Sequence, residues 1–559
     1  MELGQSFCFD DVLMEPLYSN IKSRSDISLE TNIGTNGRSL ILKTPLISSP
    51  MDTVTETEMA IKMSLSGGLG IIHRFMSIEE QVSQITKVKR FLQYIIQEPY
   101  CITPDATYNE IHNLSEKYNV SSFCVVSNLQ TKEFLGIITR RDIEYMKHHT
   151  TQYPTTHTTT NPITHPITIL DIISRQSSKL IKLEASNLSN LENSLENSLE
   201  NNLENTLKIA KELMLQNRIE KIPLVSGTTL KGLITLKNIR HYENNKSKAC
   251  VDANGALCVG AAIGIVGDYL ERLDKLVQAN VDLICVDVAN GFNENVLIAI
   301  QIIRLQYPQI ILMVGNVCNW QGYATLSQLD VDCIRVGVGN GSICTTRLET
   351  GIGKGQFSAV SECFKYKIAN TTLPHTFPHT LPRTLPHIIC DGGSLGKTGN
   401  KVKALACGSS AIMLGRTLAS TEESPGQIIF RNGRRFKYIR GMASTMANLS
   451  KQEKTENNTT TQSTHSTQST QLANTTQPTH SFKKLKTNFT SEGVDGEQEL
   501  TGSVSDLIEQ INGGIKSGMS YLGCANIIQL HNKSANNEIK FNLVTSIGMS
   551  ETGIRVKTL

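Results

Sequence analysis

The run Val281–Val317, VDLICVDVANGFNENVLIAIQIIRLQYPQIILMVGNV, reads as strand, helix, strand. Its first segment, VDLICVDVA, and its last, QIILMVGNV, are short, apolar and rich in β-branched residues. That is the composition of strands buried on both faces. Between them ENVLIAIQIIRLQYP is long enough for a helix and ends at a proline. A unit of this kind pairs its strands in parallel. Working outward, GALCVGAAI, DCIRVGV, HIICDGG and SAIMLGRTL repeat the strand pattern, and DYLERLDKLVQAN repeats the helix. PLISSPMD and GGLGIIH add two earlier strands. About eight such units make this an α/β chain, and a (β/α)8 TIM barrel fits better than an open sheet. In a barrel the loops after the strand C-termini form the active site.

At 559 residues the chain exceeds one core, so two folded units are expected. The net charge of +3 and a pI near 8.1 indicate neither nucleic acid nor an anionic membrane as partner. No apolar run reaches a membrane span, and MELGQSFCFDDVL lacks the charged-then-apolar signal pattern, which points to a cytoplasmic protein. The 13 cysteines include no C-x-x-C pair, so reduced thiols are expected, with one reactive.

The barrel is discontinuous, residues 1–94 and 249–559. Residues 95–248 hold two similar halves, each ending in a G-[IL]-I-T-x-[RK]-[DN]-I pattern: GIITRRDI and GLITLKNI. A tandem repeat between two pieces of a barrel is a domain within a domain. Three segments break the globular pattern: 148–206, 371–387 and 451–480. Their Thr, Asn, Gln, His and Pro bias reads as low-complexity surface insertion without packed structure. LENSLENSLENNLENTL could form a helix, since leucines four apart stay near one face, but an expanded polar tract is the simpler reading.

The chemistry centres on Val336–Gln356, VGVGNGSICTTRLETGIGKGQ. Cys344 lies in a glycine-rich turn directly after a strand, where backbone is exposed and mobile in its dihedrals. Ser342 beside free amides suits a phosphate oxygen, and Cys344 then stands as a nucleophile near the anchored ligand. Further glycine turns follow at strand ends, in CDGGS (Asp391, Gly392, Gly393) and MLGR (Gly415). Late-strand loops of a barrel are the usual phosphate site.

FDDVLMEP, SSPMDTVTE, GGLGIIHRFMSIEEQ, GNVCNWQG, GVGNGSICTTR, CDGG, MLGRTLASTEESPG and RGMAS together resemble the inosine-monophosphate dehydrogenase and guanosine-monophosphate reductase family. The inserted repeats resemble a pair of CBS modules, which implies purine nucleotides as their ligands. The resemblance implies that Cys344 attacks C2 of IMP, that hydride leaves to NAD, and that the thioimidate is hydrolysed to XMP. By the same resemblance Ser49 and Met51 line the nucleotide site, and Ser342, Asp391, Gly392, Gly393 and Gly415 hold ribose and phosphate. Met442, Ala443 and Glu492 contact the base; Asp287, Asn316, Arg335 and Gly337 face the nicotinamide. Carbonyls of Gly339, Gly341 and Cys344 would hold K+, completed by Glu551, Thr552 and Gly553 from a neighbour's tail in a homotetramer. Carbonyl cages suit a monovalent ion.

Several positions depart from the dehydrogenase pattern. Residues 441–520 contain no Arg-Tyr pair, the usual water-activating group; counting back from Glu492 gives HSF, His480–Phe482. Thr346 with Glu492 is the alternative base, as in the reductases, which convert GMP and NADPH to IMP and ammonia. DVANG and GMASTMAN also lean toward the reductases, while ESPG and the SETG tail lean toward the dehydrogenases. Arg416 replaces the usual serine and could hold phosphate in a bidentate way. The balance of motifs favours an NAD-dependent dehydrogenase of guanine nucleotide biosynthesis over a reductase, and both over a non-catalytic nucleotide sensor.

Overall fold

The computed structural model describes residues 3–91, 95–96, 98–118, 120–151, 168–176, 180–184, 197–245, 247–371, 384–393, 395–444, 491–545 and 548. The chain divides into two compact units, one made of Met1–Lys89 with Lys248–Leu559, the other of Arg90–Ser247.

In the first unit eight parallel strands close into a barrel: β1 (Leu46–Ser48), β2 (Leu69–Ile72), β3 (Val259–Ile263), β4 (Leu283–Asp287), β5 (Ile311–Val317), β6 (Cys333–Val336), β7 (His387–Asp391) and β8 (Ala411–Leu414). Neighbours in the ring are neighbours in sequence, and β8 pairs with β1 through Met413 and Ile47. The strands are buried on both faces, as their apolar runs require. Leu69, Ile71, Leu283, Met313, Cys333, Ile389 and Met413 belong to the core cluster inside the ring.

Helices α1 (Thr57–Leu65), α2 (Ile78–Phe91), α3 (Tyr269–Gln278), α4 (Glu294–Gln306), α5 (Trp320–Ser327), α6 (Gln356–Thr371), α7 (Thr398–Ala406) and α8 (Val504–Tyr521) follow β1 to β8 in turn. Side chains cap the N-termini where the sequence offers them: Asn293 accepts from Asn295 N, Asn319 from Gly322 N and Ser503 from Asp506 N. In the turn before β6, Asp332 is fully buried and fully answered. It accepts from Thr35 N and Oγ1, Arg38 Nε, Arg304 Nη2 and Leu312 N, all within 3.0 Å. A buried carboxylate is tolerable only with partners of this number and charge.

The second unit repeats one plan. Its first half runs strand Cys101–Ile102, helix Tyr108–Tyr118, hairpin Phe123–Val126 with Phe134–Ile138, and helix Arg140–Thr151. The other half runs strand Leu183–Glu184, helix Asn197–Asn217, hairpin Lys221–Ser226 with Thr229–Thr235, and helix Leu236–Asn245.

One expectation needs correcting. The span 148–206 is not uniformly without structure: Ile169–Gln176 is a helix, and the helix Asn197–Asn217 begins inside the Leu-Glu-Asn repeat. Ile169 and Ile172 are buried in one apolar cluster, and Leu207, Ala210 and Met214 continue the repeat's leucine spacing into another. Tertiary burial thus decides a stretch whose composition alone reads as polar. The tract 451–480 and most of 371–387 lie outside the described residues. Among the described residues no helix is long and apolar enough to cross a membrane.

Candidate functional site

The strand C-termini and the loops after them gather the residues singled out in the sequence. After β6 the backbone turns at Gly337 (φ +148°), where a Cβ would stand 2.2 Å from Asp391 O, so only glycine fits. The loop then presents Gly339, Asn340, Gly341 and Ser342 before reaching Cys344. Asn340 Nδ2 donates to Asp391 O (3.0 Å) and also meets Gln356, whose Nε2 donates to Val336 O (2.6 Å). These two amides bind the loops after β6 and β7 together from below. Sequence reading had not singled out either one, although Asn340 stands inside the quoted motif.

Cys344 Sγ is 3.1 Å from Thr346 Oγ1, and Thr346 Oγ1 donates to Glu492 Oε2 at 2.7 Å. A hydroxyl has one proton. With that proton directed at the carboxylate, the contact to sulfur is one in which the thiol donates. The three groups therefore form a line for a proton from Sγ to the carboxylate. Glu492 is far away in sequence and is delivered by a three-stranded antiparallel sheet of Ile428–Arg431, Arg434–Arg440 and Asp495–Glu499. Beyond the sheet the pairing continues: Gly441 N bonds Val494 O, Glu492 N bonds Ala443 O, and Thr345 N bonds Glu492 O (2.9 Å).

A second group lines the ends of β4 to β7. Arg335, 5 % exposed, donates from Nη1 to Asp287 (2.8 Å) and from Nε and Nη2 to Asp391 Oδ2 (3.3 and 3.2 Å). Against the opposing pull of burial, Cys285 and the carboxylates of Asp287 and Asp391 hold its pKa well above the ordinary guanidinium value. Asn316 Nδ2 donates to Gly337 O (2.7 Å) and Asp391 Oδ2 (2.9 Å), which leaves Asn316 Oδ1 buried with no protein donor. A buried acceptor of this kind is costly unless a ligand supplies a donor.

On the β8–β1 side, Ser49 N bonds Leu414 O, and Ser49 Oγ and Met51 Sδ lie against Gly415. Asp52 N contacts Met442 Sδ at 3.4 Å, while the Asp52 carboxylate pairs with Arg440 Nε at 2.8 Å. Asp52 thus fixes its loop through Arg440, which had no sequence signal beyond standing next to Gly441. Arg416 does not join the cluster, since it is exposed and its Nε donates to Gln498 Oε1 (3.2 Å). Ser342 is exposed at the loop tip. Glu551, Thr552, Gly553 and the HSF segment lie outside the described residues.

Some further polar and aromatic residues take structural places. His73 is buried and bonds Glu56 (3.2 Å), and Trp320 stacks on Tyr366. Asp10 pairs with Lys397, just before α7. Burial pushes the thiols of Cys285 (to about 11) and Cys407 (to about 12) up. Those thiols are chemically quiet, in contrast to the accessible Cys344 loop.

The family model described as the IMP dehydrogenase / GMP reductase domain matches residues 6–555. Inosine-5'-monophosphate dehydrogenase of Nitrosopumilus maritimus is 34 % identical over 531 residues, 95 % of each chain. The Bacillus subtilis protein of the same name is 34 % identical over 552 residues, 98 % of this chain and 95 % of its own. Among solved structures, a cysteine-to-alanine variant of GMP reductase from Trypanosoma brucei with guanosine 5'-monophosphate superposes with TM-score 0.76 at 28 % identity, covering 100 % of this chain and 99 % of its own. The chain belongs to the IMP dehydrogenase / GMP reductase family.

Proposed function

We propose that this chain is an NAD-dependent IMP dehydrogenase. The observation that carries the reading is the line Cys344 Sγ, Thr346 Oγ1, Glu492 Oε2, with contacts of 3.1 and 2.7 Å. Thr346 passes the thiol proton to Glu492, and the freed sulfur adds to C2 of the purine. Hydride leaves C2, and the carbon is left joined to Cys344 as a thioimidate. Glu492 releases the first proton to solvent once the hydride has left. Water then attacks the thioimidate carbon and loses a proton to Thr346, whose own proton moves to the freed Glu492 carboxylate. The C–S bond breaks, XMP departs, and Cys344 takes that proton back from Glu492 through Thr346. This route needs no Arg-Tyr pair, which residues 441–520 do not contain.

For the nucleotide we assign Ser342, Asp391, Gly392, Gly393 and Gly415 to ribose and phosphate, and Ser49, Met51, Met442 and Ala443 to the base. Asp287, Asn316, Arg335 and Gly337 would hold the nicotinamide end of NAD, which accepts the hydride from C2 when bound. The unanswered Asn316 Oδ1 fits a carboxamide N–H. Carbonyls of Gly339, Gly341 and Cys344 would hold K+, with Glu551, Thr552 and Gly553. The described residues offer no cluster of three His, Cys, Asp or Glu for a divalent ion. We also assign purine nucleotides to the repeat unit as a CBS pair, a homotetrameric assembly and a cytoplasmic location.

The second reading is GMP reduction, favoured by the missing Arg-Tyr pair and by the same Thr346–Glu492 contact, which could equally serve a C2 amino group. Purified protein with IMP and NAD+ in potassium, and separately with GMP and NADPH, decides between them. Reduced cofactor appearing together with XMP supports the dehydrogenase. NADPH consumption with release of IMP and ammonia overturns it in favour of the reductase.

A further inference from the structure

Lys401, in the first turn of α7, is a residue the site described above does not use. It is 1 % exposed. Among the described residues its Nζ has one hydrogen-bond partner, the carbonyl of Gly396 at 3.4 Å, and no carboxylate. The neighbouring lysines differ: Lys397 pairs with Asp10, and Lys403 donates to Phe9 O and Asn400 Oδ1. Burial alone pushes the Lys401 amine down to about 8, with no charged group adjusting it. An enclosed ammonium without a counter-charge is unfavourable. At neutral pH it is largely protonated and lacks an anion.

Helix geometry shows where it points. Thr398 and Val402 meet Gly514 and Gly518 of α8, whereas Asn400 and Lys403 face the N-terminal arm at Phe9 and Asp10. Gly399 is exposed. At about 100° per residue, Lys401, Ala404 and Leu405 are left on the side opposite Gly399, the side that packs on β8. Because α7 follows β7, its first turn stands at the strand C-termini. Lys401 reaches back to the carbonyl of Gly396 in the β7–α7 loop.

We propose that Lys401 is a positioning residue for the substrate's phosphate: a fixed positive charge behind the β7–α7 loop that favours a dianionic phosphomonoester seated on that loop. The proposal rests on the reading of Gly393 and Ser342 as phosphate ligands. A 5'-phosphomonoester carries about −1.5 to −2 at neutral pH. Across protein at an effective dielectric near 20, a fixed unit charge beside such an anion's seat is worth roughly tenfold in affinity.

The test is equilibrium binding of IMP and of inosine, which lacks the phosphate, to the full-length protein and to its Lys401→Met and Lys401→Gln variants. Met fills the same space without charge, and Gln keeps polarity without charge. IMP affinity is expected to fall about tenfold or more in both variants, with inosine affinity unchanged. The unchanged inosine value also shows that the base site is folded. Wild-type IMP affinity in either variant overturns the proposal, as does equal weakening of IMP and inosine, which would mark a packing role. Wild-type protein that binds neither IMP nor GMP overturns the functional reading itself, and this proposal with it.

Discussion

At the scale of single residues, the site depends on one hydroxyl. Thr346 joins sulfur to carboxylate, and no other described side chain bridges them. Thr346→Val should lower kcat about 100-fold or more, the usual contribution of a positioned proton carrier, while leaving the KM for IMP within a few-fold. Steady-state kinetics checks this, and an unchanged kcat would remove Thr346 from the proton path. Gly337→Ala makes a different point. The new Cβ meets Asp391 O at 2.2 Å in a left-handed backbone position, so a loss of about 1–3 kcal/mol in urea unfolding is expected alongside lost activity. Cys344 stood out in the sequence because further glycine turns follow at late strand ends; a glycine-rich turn with a cysteine, taken alone, is more often structural. Glu492 could be placed only through the family resemblance, since its position depends on backbone pairing across three strands. Arg440, Asn340 and Gln356 act through geometry that no spacing reveals.

At the scale of elements, the barrel strands were legible because burial on both faces leaves an apolar run with a glycine or polar residue after it. The helix Asn197–Asn217 was not, since Leu207, Ala210 and Met214 pack into a core that the local sequence does not show. Two elements carry predictions of their own. The turn into β6 depends on Asp332, and Asp332→Ala should lower stability by about 3–5 kcal/mol by leaving Thr35 N and Leu312 N without their acceptor and Arg38 and Arg304 with Asp330 alone. Denaturant titration measures it; a change under about 1 kcal/mol would show the network to be dispensable. His387 in β7 and His531 in the helix Ile527–Ala535 are half-buried, and desolvation of their rings pushes their pKa values down to about 3 and about 4. In the unfolded chain an imidazole takes a proton near 6.5. Below that pH the unfolded state binds protons that the folded state refuses, so stability falls on acidification. The slope for each imidazole approaches ~1.4 kcal/mol per pH unit between about 6 and 4, and vanishes above about 7. Unfolding curves at about pH 7 and about pH 5 test the sign, and His387→Asn should remove its share of the slope.

At the scale of the whole molecule, the chemistry and the inserted repeats belong to separate compact units. Every contact in the Cys344–Thr346–Glu492 line lies within the barrel unit. Replacing residues 90–247 by a short flexible linker should therefore leave turnover within about tenfold of the full chain, since the linkage between the barrel pieces is the one contribution those residues would make to the line. A drop of several orders of magnitude would show that catalysis depends on the insert. The domain insertion was legible as a tandem pattern, whereas the division at Lys89 and Ser247 follows from packing. The account's central claim is a covalent bond between Cys344 and purine C2. Acid quenching during turnover with IMP and NAD+, followed by peptide mass spectrometry, tests it most directly. The account predicts a purine nucleotide adduct on the peptide carrying Cys344, absent from Cys344→Ser, which should not turn over. Full turnover by Cys344→Ser, or an adduct on another cysteine, would contradict it.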